Sequence, residues 1–421
     1  MTVTSVEPYR EVVLDKDGDG PAGQAGALAG LARAGCTDLV LFTHGWNNSP
    51  SVATGLFDRF FEPFPRVSGP GRRLGYAGLV WPSIMFSDER VPDYPALRAV
   101  LPERAPAVDR IEELLAAEPA DEAALAEFAG LLRELTGTGS GARTGTGTGT
   151  GSEGRAAVGA GAGAGASMPE FLVGDPATVY GMFADALEAA EAPPRAGAAG
   201  AEALFGGDRA GRLWKGAREA LRQATYFTMK RRAGVVGERG LGPLLGELGR
   251  AAPGLRVHLV GHSFGGRLVA YALRGLPAGT RNVKSVTVLQ GAFSHYAFAA
   301  RLPHDRDHGG SLAGLQDRID GPLVACHSHR DTALRVFYPL ASRVARDDES
   351  LFGDERRWWA IGYDGVQAVP GTAARTLAAV LADGLPGTGC VSVDAARVVS
   401  EHSDICHAEL AGVVARAGRF D

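Results

Sequence analysis

The segment best suited to chemistry is Gly261-His262-Ser263-Phe264-Gly265, a serine set between two glycines. A serine hydroxyl becomes a useful nucleophile when it projects from a sharp turn and a nearby base takes its proton. The flanking glycines serve that geometry, because a strained turn drives neighbouring Cβ positions against the adjoining backbone. In a chain with 59 glycines the bare spacing is a weak signal, so its setting has to carry the weight. The base must be a histidine, since only imidazole can accept a proton from serine and return one to a leaving group near neutral pH. Ten histidines are present. The cysteines Cys36, Cys326, Cys390 and Cys406 show no CxxC spacing, and the Cys406-His407 pair lacks a companion cluster at ligand spacing. Neither a disulfide framework nor a metal centre is expected.

A short apolar run at 255–260 leads directly into this segment, and an amphipathic helical pattern at 266–276 follows it. Strand, turn and helix in that order form the setting that lifts a GxSxG serine above a sheet. Comparable runs occur at 38–43, 76–81, 283–289 and 322–326, with weaker candidates at 9–14 and 390–393. Each fits a strand buried on both faces. Buried strands alternating with helices predict an α/β fold with a mainly parallel central sheet and helices on both faces. Such sheets bind ligands at the carboxyl ends of their strands. Residues 87–232 read differently. Apolar groups there recur at three- and four-residue spacing over 107–117, 122–135, 182–190 and 213–230, which predicts helices. Within them, 136–166 has twelve glycines in 31 residues and one larger apolar group, Val158, too little to offset the entropy of ordering. A disordered Gly-rich loop is expected there.

The run LRVHLV followed by GHSFGG resembles the nucleophile elbow of the α/β-hydrolase superfamily. The likeness covers nearly all of the chain outside 87–232. It implies an α/β-hydrolase fold, with 1–86 and 233–421 as two parts of the core and 87–232 as a helical lid. Trp81, Phe86, Trp214, Tyr226, Phe227 and Met229 would give that lid site an apolar underside, or simply pack lid against core. The resemblance also implies a serine, an acid and a histidine in that chain order. Ser263 would be the nucleophile. Asp331, in the loop after the 322–326 run, would be the acid, its alternative role being a helix N-cap; Asp320, Asp347, Asp348 and Asp354 are less well placed. His402, in a short loop before the terminal helix, would be the base, with His407 as the alternative. Residues 38–43 run into His44-Gly45-Trp46-Asn47-Asn48, which resembles the superfamily's HG oxyanion loop, although a plain strand-ending turn also fits. By that likeness the backbone N–H groups of Trp46 and Phe264 form the oxyanion hole, Gly45 and His262 face the substrate, and Asn47 or Asn48 holds the loop in shape.

Composition narrows the classes. The chain has 421 residues, 45% hydrophobic and 22% charged, with 43 basic against 48 acidic side chains and a net charge of -5. No basic field exists for nucleic acid, and no apolar run is long enough for integral membrane association. The amino terminus lacks a secretory pattern, which makes a cytoplasmic location the expectation. The expected function is a serine hydrolase cleaving small-molecule carboxylic esters, lipid-like ones included, through an acyl-enzyme and without cofactor or metal. The alternative is a catalytically inactive hydrolase fold used as a binding or scaffolding module.

Overall fold

The computed structural model describes residues 5–46, 48, 50–83, 94–136, 170–191, 209–334 and 355–421. Eight strands form one sheet: β1 (Tyr9–Val13), β2 (Asp38–Thr43), β3 (Leu74–Val80), β4 (Arg256–His262), β5 (Val283–Leu289), β6 (Pro322–His327), β7 (Ala373–Thr376) and β8 (Gly389–Asp394). Their order is β1-β3-β2-β4-β5-β6-β8-β7, and every neighbouring pair is parallel. A parallel sheet has helices on both faces, so its inner strands must be apolar throughout. All six residues of β2 are buried, as are six of the seven in β4. The edge strand β7 breaks that rule. Its sequence AART is mostly exposed, and it lacked the apolar run by which the other strands were anticipated.

One face of the sheet packs against helices Pro50–Phe61, Leu377–Asp383 and Ala408–Gly418, through a core that includes Phe57, Phe60, Phe61, Val260, Leu289, Val380 and Val414. Phe42 lies centrally in it, stacked on Phe60 at 4.0 Å and edge-on to Phe57 at 5.7 Å. Burying each such ring stabilises by roughly 2–3 kcal/mol. Adjacent residues of a strand point to opposite faces. Thus Leu289 joins this core while Val288, its neighbour, meets helix Phe264–Gly275 on the other side: a Cβ on Gly266 would lie 2.8 Å from the Val288 Cγ1. The helix following β2 and the helix following β4 therefore lie on opposite faces, although β2 and β4 are neighbours. The carboxyl ends of two such strands, where the helices diverge, are the usual ligand position in such sheets.

The chain divides into two units. The first comprises Met1–Met85, Met229–Ser342 and Phe352–Asp421, and holds the sheet. The second comprises Phe86–Thr228 with Arg343–Leu351, and its described elements are helices, among them Ala105–Ala117, Glu122–Thr136 and Pro176–Glu191. Trp214 is fully buried inside this second unit, edge-on to Phe128 at 5.5 Å, with its indole N–H donating to Pro119 O at 2.8 Å. Both of these contacts lie within its own unit, whereas the sequence reading offered an apolar underside or packing of lid against core; Phe86 falls outside the described residues. So do 137–166, the expected glycine-rich loop.

At the amino-terminal ends of the strands lies a polar cluster built on the fully buried Asp38, His258 and Ser285. The His258 Nε2–H donates to Asp38 Oδ1 at 2.9 Å, and Nδ1 accepts from the Ser285 hydroxyl at 2.9 Å. Thr37 Oγ1 donates to Asp38 Oδ2 at 2.7 Å, with the Arg256 and Arg72 guanidinium groups at 3.5 and 3.7 Å. Burial alone would raise the Asp38 pKa, but the bonds from His258 and Thr37 and the Arg256 charge together hold it below the usual carboxylate range. Arg256 also donates to Gly418 O at 2.6 Å, and Phe420 packs on the His258 ring at 5.0 Å, so the cluster anchors the terminal helix. Removing the carboxylate strands buried partners. The substitution Asp38→Ala should cost about 3–5 kcal/mol in urea unfolding, and a loss below about 1 kcal/mol would contradict this account.

Candidate active site

Ser263 stands between the end of β4 and the start of helix Phe264–Gly275, at φ 55 and ψ -118. An L-residue avoids positive φ, at a cost of roughly 1–3 kcal/mol, unless its surroundings enforce it. Here they do. Ser263 N–H donates to Leu289 O at 3.0 Å, and Ser263 O accepts from Ala292 N–H at 3.2 Å and Arg267 N–H at 3.4 Å. The two glycines make room for the turn: a Cβ at Gly261 would lie 2.2 Å from Gly265 O, and one at Gly265 would lie 2.4 Å from Thr43 O. No side chain fits at either position.

The three side chains nominated in the sequence meet at the carboxyl edge of the sheet. His402 Nε2 lies 2.8 Å from Ser263 Oγ, and His402 Nδ1 lies 2.6 Å from Asp331 Oδ2. An ionised carboxylate only accepts hydrogen bonds, so Nδ1 carries the proton and Nε2 presents its lone pair to the hydroxyl. Asp331 is fully buried, whereas the His402 side chain keeps a quarter of its surface exposed. The other carboxylate oxygen, Oδ1, accepts the Leu334 N–H at 3.0 Å. Asp331 thus serves as a turn cap and as partner to His402 at once, and the two roles weighed for it are compatible. His407 takes no part. It precedes helix Ala408–Gly418 and its Nε2 contacts Asp404 Oδ1 at 2.6 Å. Chemically, the array can draw the Ser263 proton onto His402 while Asp331 stabilises the resulting imidazolium.

The loop after β2 faces the same serine. A Cβ on Gly45 would come within 2.8 Å of Ser263 Cβ, so only glycine lets this main chain approach so closely. The loop is fixed from within: Asn48 Nδ2 donates to Trp46 O at 3.0 Å, and Asn48 N–H donates to Ser83 Oγ at 3.2 Å. Asn47 lies outside the described residues. His44 donates from Nδ1 to Gly45 O at 2.8 Å and accepts the Trp81 N–H on Nε2 at 3.3 Å. Trp81 stacks on the His44 ring at 5.7 Å and donates its indole N–H to His44 O at 3.0 Å, so both of its polar contacts secure this loop. Phe264 is the first residue of its helix, where N–H groups are not used by the helical ladder, and the Trp46 ring approaches its ring at 6.2 Å.

Several contacts that hold the site together were not anticipated. His262, expected to face substrate, is only 6% exposed, and its Nε2 lies 2.8 Å from His402 O. Ser328 Oγ donates to Val399 O at 2.9 Å, and Asp404 Oδ2 accepts from the Ser400 N–H and hydroxyl at 2.9 and 2.8 Å, tying down both ends of the loop that carries His402. The Ser400 and Asp404 spacing is a local turn signal available in the sequence; the contacts of His262 and Ser328 cross long stretches of chain and leave no such trace.

A separate open cleft of about 810 Å³ lies beside β7 and β8, lined by residues that include His327, Asp364, Arg375 and Asp394. Its lining lacks a hydroxyl held by a histidine, so the chemistry points to Ser263 instead. Among the described residues no cluster of His, Cys, Asp or Glu could hold a metal ion, and no helix is long and apolar enough to cross a membrane. Comparison with known proteins finds no matching family model, no similar curated protein and no similar solved structure.

Two rings near the serine are kept neutral by the fold. Burial pushes the pKa of His44 down to about 4, and burial together with nearby His402 pushes that of His262 down to about 3. The unfolded chain protonates such rings near 6.5 and the folded chain does not, so stability is full above that pH and declines as pH falls toward 4. Each ring should contribute about 1 kcal/mol of loss per pH unit in that window. Urea midpoints measured between pH 7 and pH 4.5 should fall steadily; an unchanged or rising midpoint would contradict the assigned protonation states.

Proposed function

We propose that the chain is a serine hydrolase of the α/β-hydrolase type that cleaves carboxylic esters through an acyl-enzyme. The observation that carries this reading is the unbroken hydrogen-bond chain from Asp331 through His402 to Ser263, with the serine on a strained turn beside the Gly45 loop. In the first half-reaction His402 Nε2 takes the Ser263 proton as Oγ attacks the acyl carbon. The tetrahedral oxyanion is held by the backbone N–H groups of Trp46 and Phe264. Collapse breaks the ester bond, and His402 returns the proton to the leaving alcohol. In the second half-reaction water attacks the acyl-enzyme with His402 as base, releasing the carboxylic acid and restoring Ser263. Asp331 keeps the imidazole in the tautomer that presents Nε2 to the serine.

Hydrolysis of p-nitrophenyl esters graded by acyl-chain length tests this directly. Wild type should turn over at least one member of the series, and Ser263→Ala, His402→Ala and Asp331→Asn should each lower kcat by roughly 10³-fold or more while leaving thermal unfolding nearly unchanged. Equal activity in wild type and Ser263→Ala would remove Ser263 as the nucleophile, and no activity on any ester would replace the enzyme with a binding or scaffolding module.

A further inference from the structure

We propose that His262 is a positioning residue, which holds the main chain of His402 so that the imidazole stays in line with the Ser263 hydroxyl. The inference deepens the hydrolase reading and rests on it. His262 ends β4 and immediately precedes the nucleophile. Its Nε2 meets His402 O at 2.8 Å, while the two rings stand 5.0 Å apart. A carbonyl oxygen only accepts, so the His262 proton resides on Nε2. Its Nδ1 is then left with a lone pair and no hydrogen-bond partner, against Gly45, where a Cβ would come within 3.2 Å.

Two consequences follow from this placement. First, His262 is no general base, because its only proton acceptor faces the Gly45 loop with no hydrogen bond to the Ser263 hydroxyl, which is paired with His402 instead, and burial keeps that atom weakly basic. Secondly, one rigid strand end fixes both partners of the proton transfer. It carries Ser263 through the covalent chain and the His402 main chain through a single hydrogen bond. Asp331 orients the His402 ring but does not fix its backbone, and the other ties of that loop are local turn bonds, Asp404 N–H to Glu401 O and Ile405 N–H to Ser403 O, with side-chain bonds at Val399, Ser400 and Asp404. Loss of the His262 bond would let the loop drift, and a shift of about 1 Å between reacting groups can cost on the order of 10²-fold in rate.

The test uses two substitutions and one measurement on the wild type. His262→Phe keeps a buried ring without a donor, and should lower kcat by about 10–100-fold with KM changed by less than about 3-fold. His262→Gln restores an N–H at a similar reach and should recover most of that loss. In wild-type protein, ¹⁵N NMR of the histidine side chains should show residue 262 as the neutral Nε2–H tautomer from pH 8 to pH 5. The proposal is overturned if the phenylalanine variant keeps full kcat, if glutamine is as impaired as phenylalanine, or if the ring titrates near 6.5 or carries its proton on Nδ1. The NMR result stands even where a variant does not fold. Should Ser263→Ala retain ester hydrolysis, the hydrolase reading fails on its own, while the tautomer still reports whether the His262 bond exists.

Discussion

The site depends on a backbone conformation that its own residue disfavours. At φ 55, Ser263 turns the chain from strand to helix within one residue and puts its hydroxyl beyond the sheet edge. The turn closes only because the positions two before and two after it bear no side chain, and because Leu289 and Ala292 grip its amide and carbonyl. The roughly 1–3 kcal/mol of strain is offset by packing elsewhere, in particular the aromatic layer around Phe42 and the helices over both faces. Stability made in the sheet is thus spent where the hydroxyl must stand.

Convergence of the right residue types is insufficient by itself, as the protein shows in its own interior. Asp38, His258 and Ser285 form a second carboxylate, imidazole and hydroxyl series, with bonds of 2.9 Å each against 2.8 and 2.6 Å at Ser263. All of its members are fully buried at the amino-terminal ends of the strands, with the terminal helix packed over them. The series at Ser263 differs in having a partly exposed imidazole, a serine with a strained backbone and a glycine-lined main chain beside it. Access, strain and adjacent backbone are what set the array at Ser263 apart from the buried one.

Much of this was legible in the sequence, for physical reasons. Strands buried on both faces must be apolar throughout, so β2 to β6 stood out, and β8 more faintly. The exposed edge strand β7 did not, since pairing with β8 alone asks nothing of its side chains. Ser263 and Asp331 could be nominated because each follows a strand, and in a parallel sheet all strand ends share one rim, while His402 was nominated by its place after Asp331 and before the terminal helix, as the hydrolase resemblance implied. Helix Pro50–Phe61 was missed, although its phenylalanines fill the core beneath β2. His262 was taken for a residue facing the substrate. Its partner is a backbone carbonyl 140 residues away, and a contact with main chain imposes no residue type on the other side. The same holds for Ser328 and Val399, and for Trp81, whose role at His44 depends on two neighbouring strand ends that only the fold brings together.

The central claim is that Ser263 is a nucleophile activated by His402. Its most direct test is to treat the protein with a fluorophosphonate and locate the adduct by peptide mass spectrometry. A single phosphonyl group on Ser263, formed in wild type and absent when His402 is replaced by alanine, is the predicted result. No adduct, or an adduct on another residue with Ser263 unmodified, would contradict it.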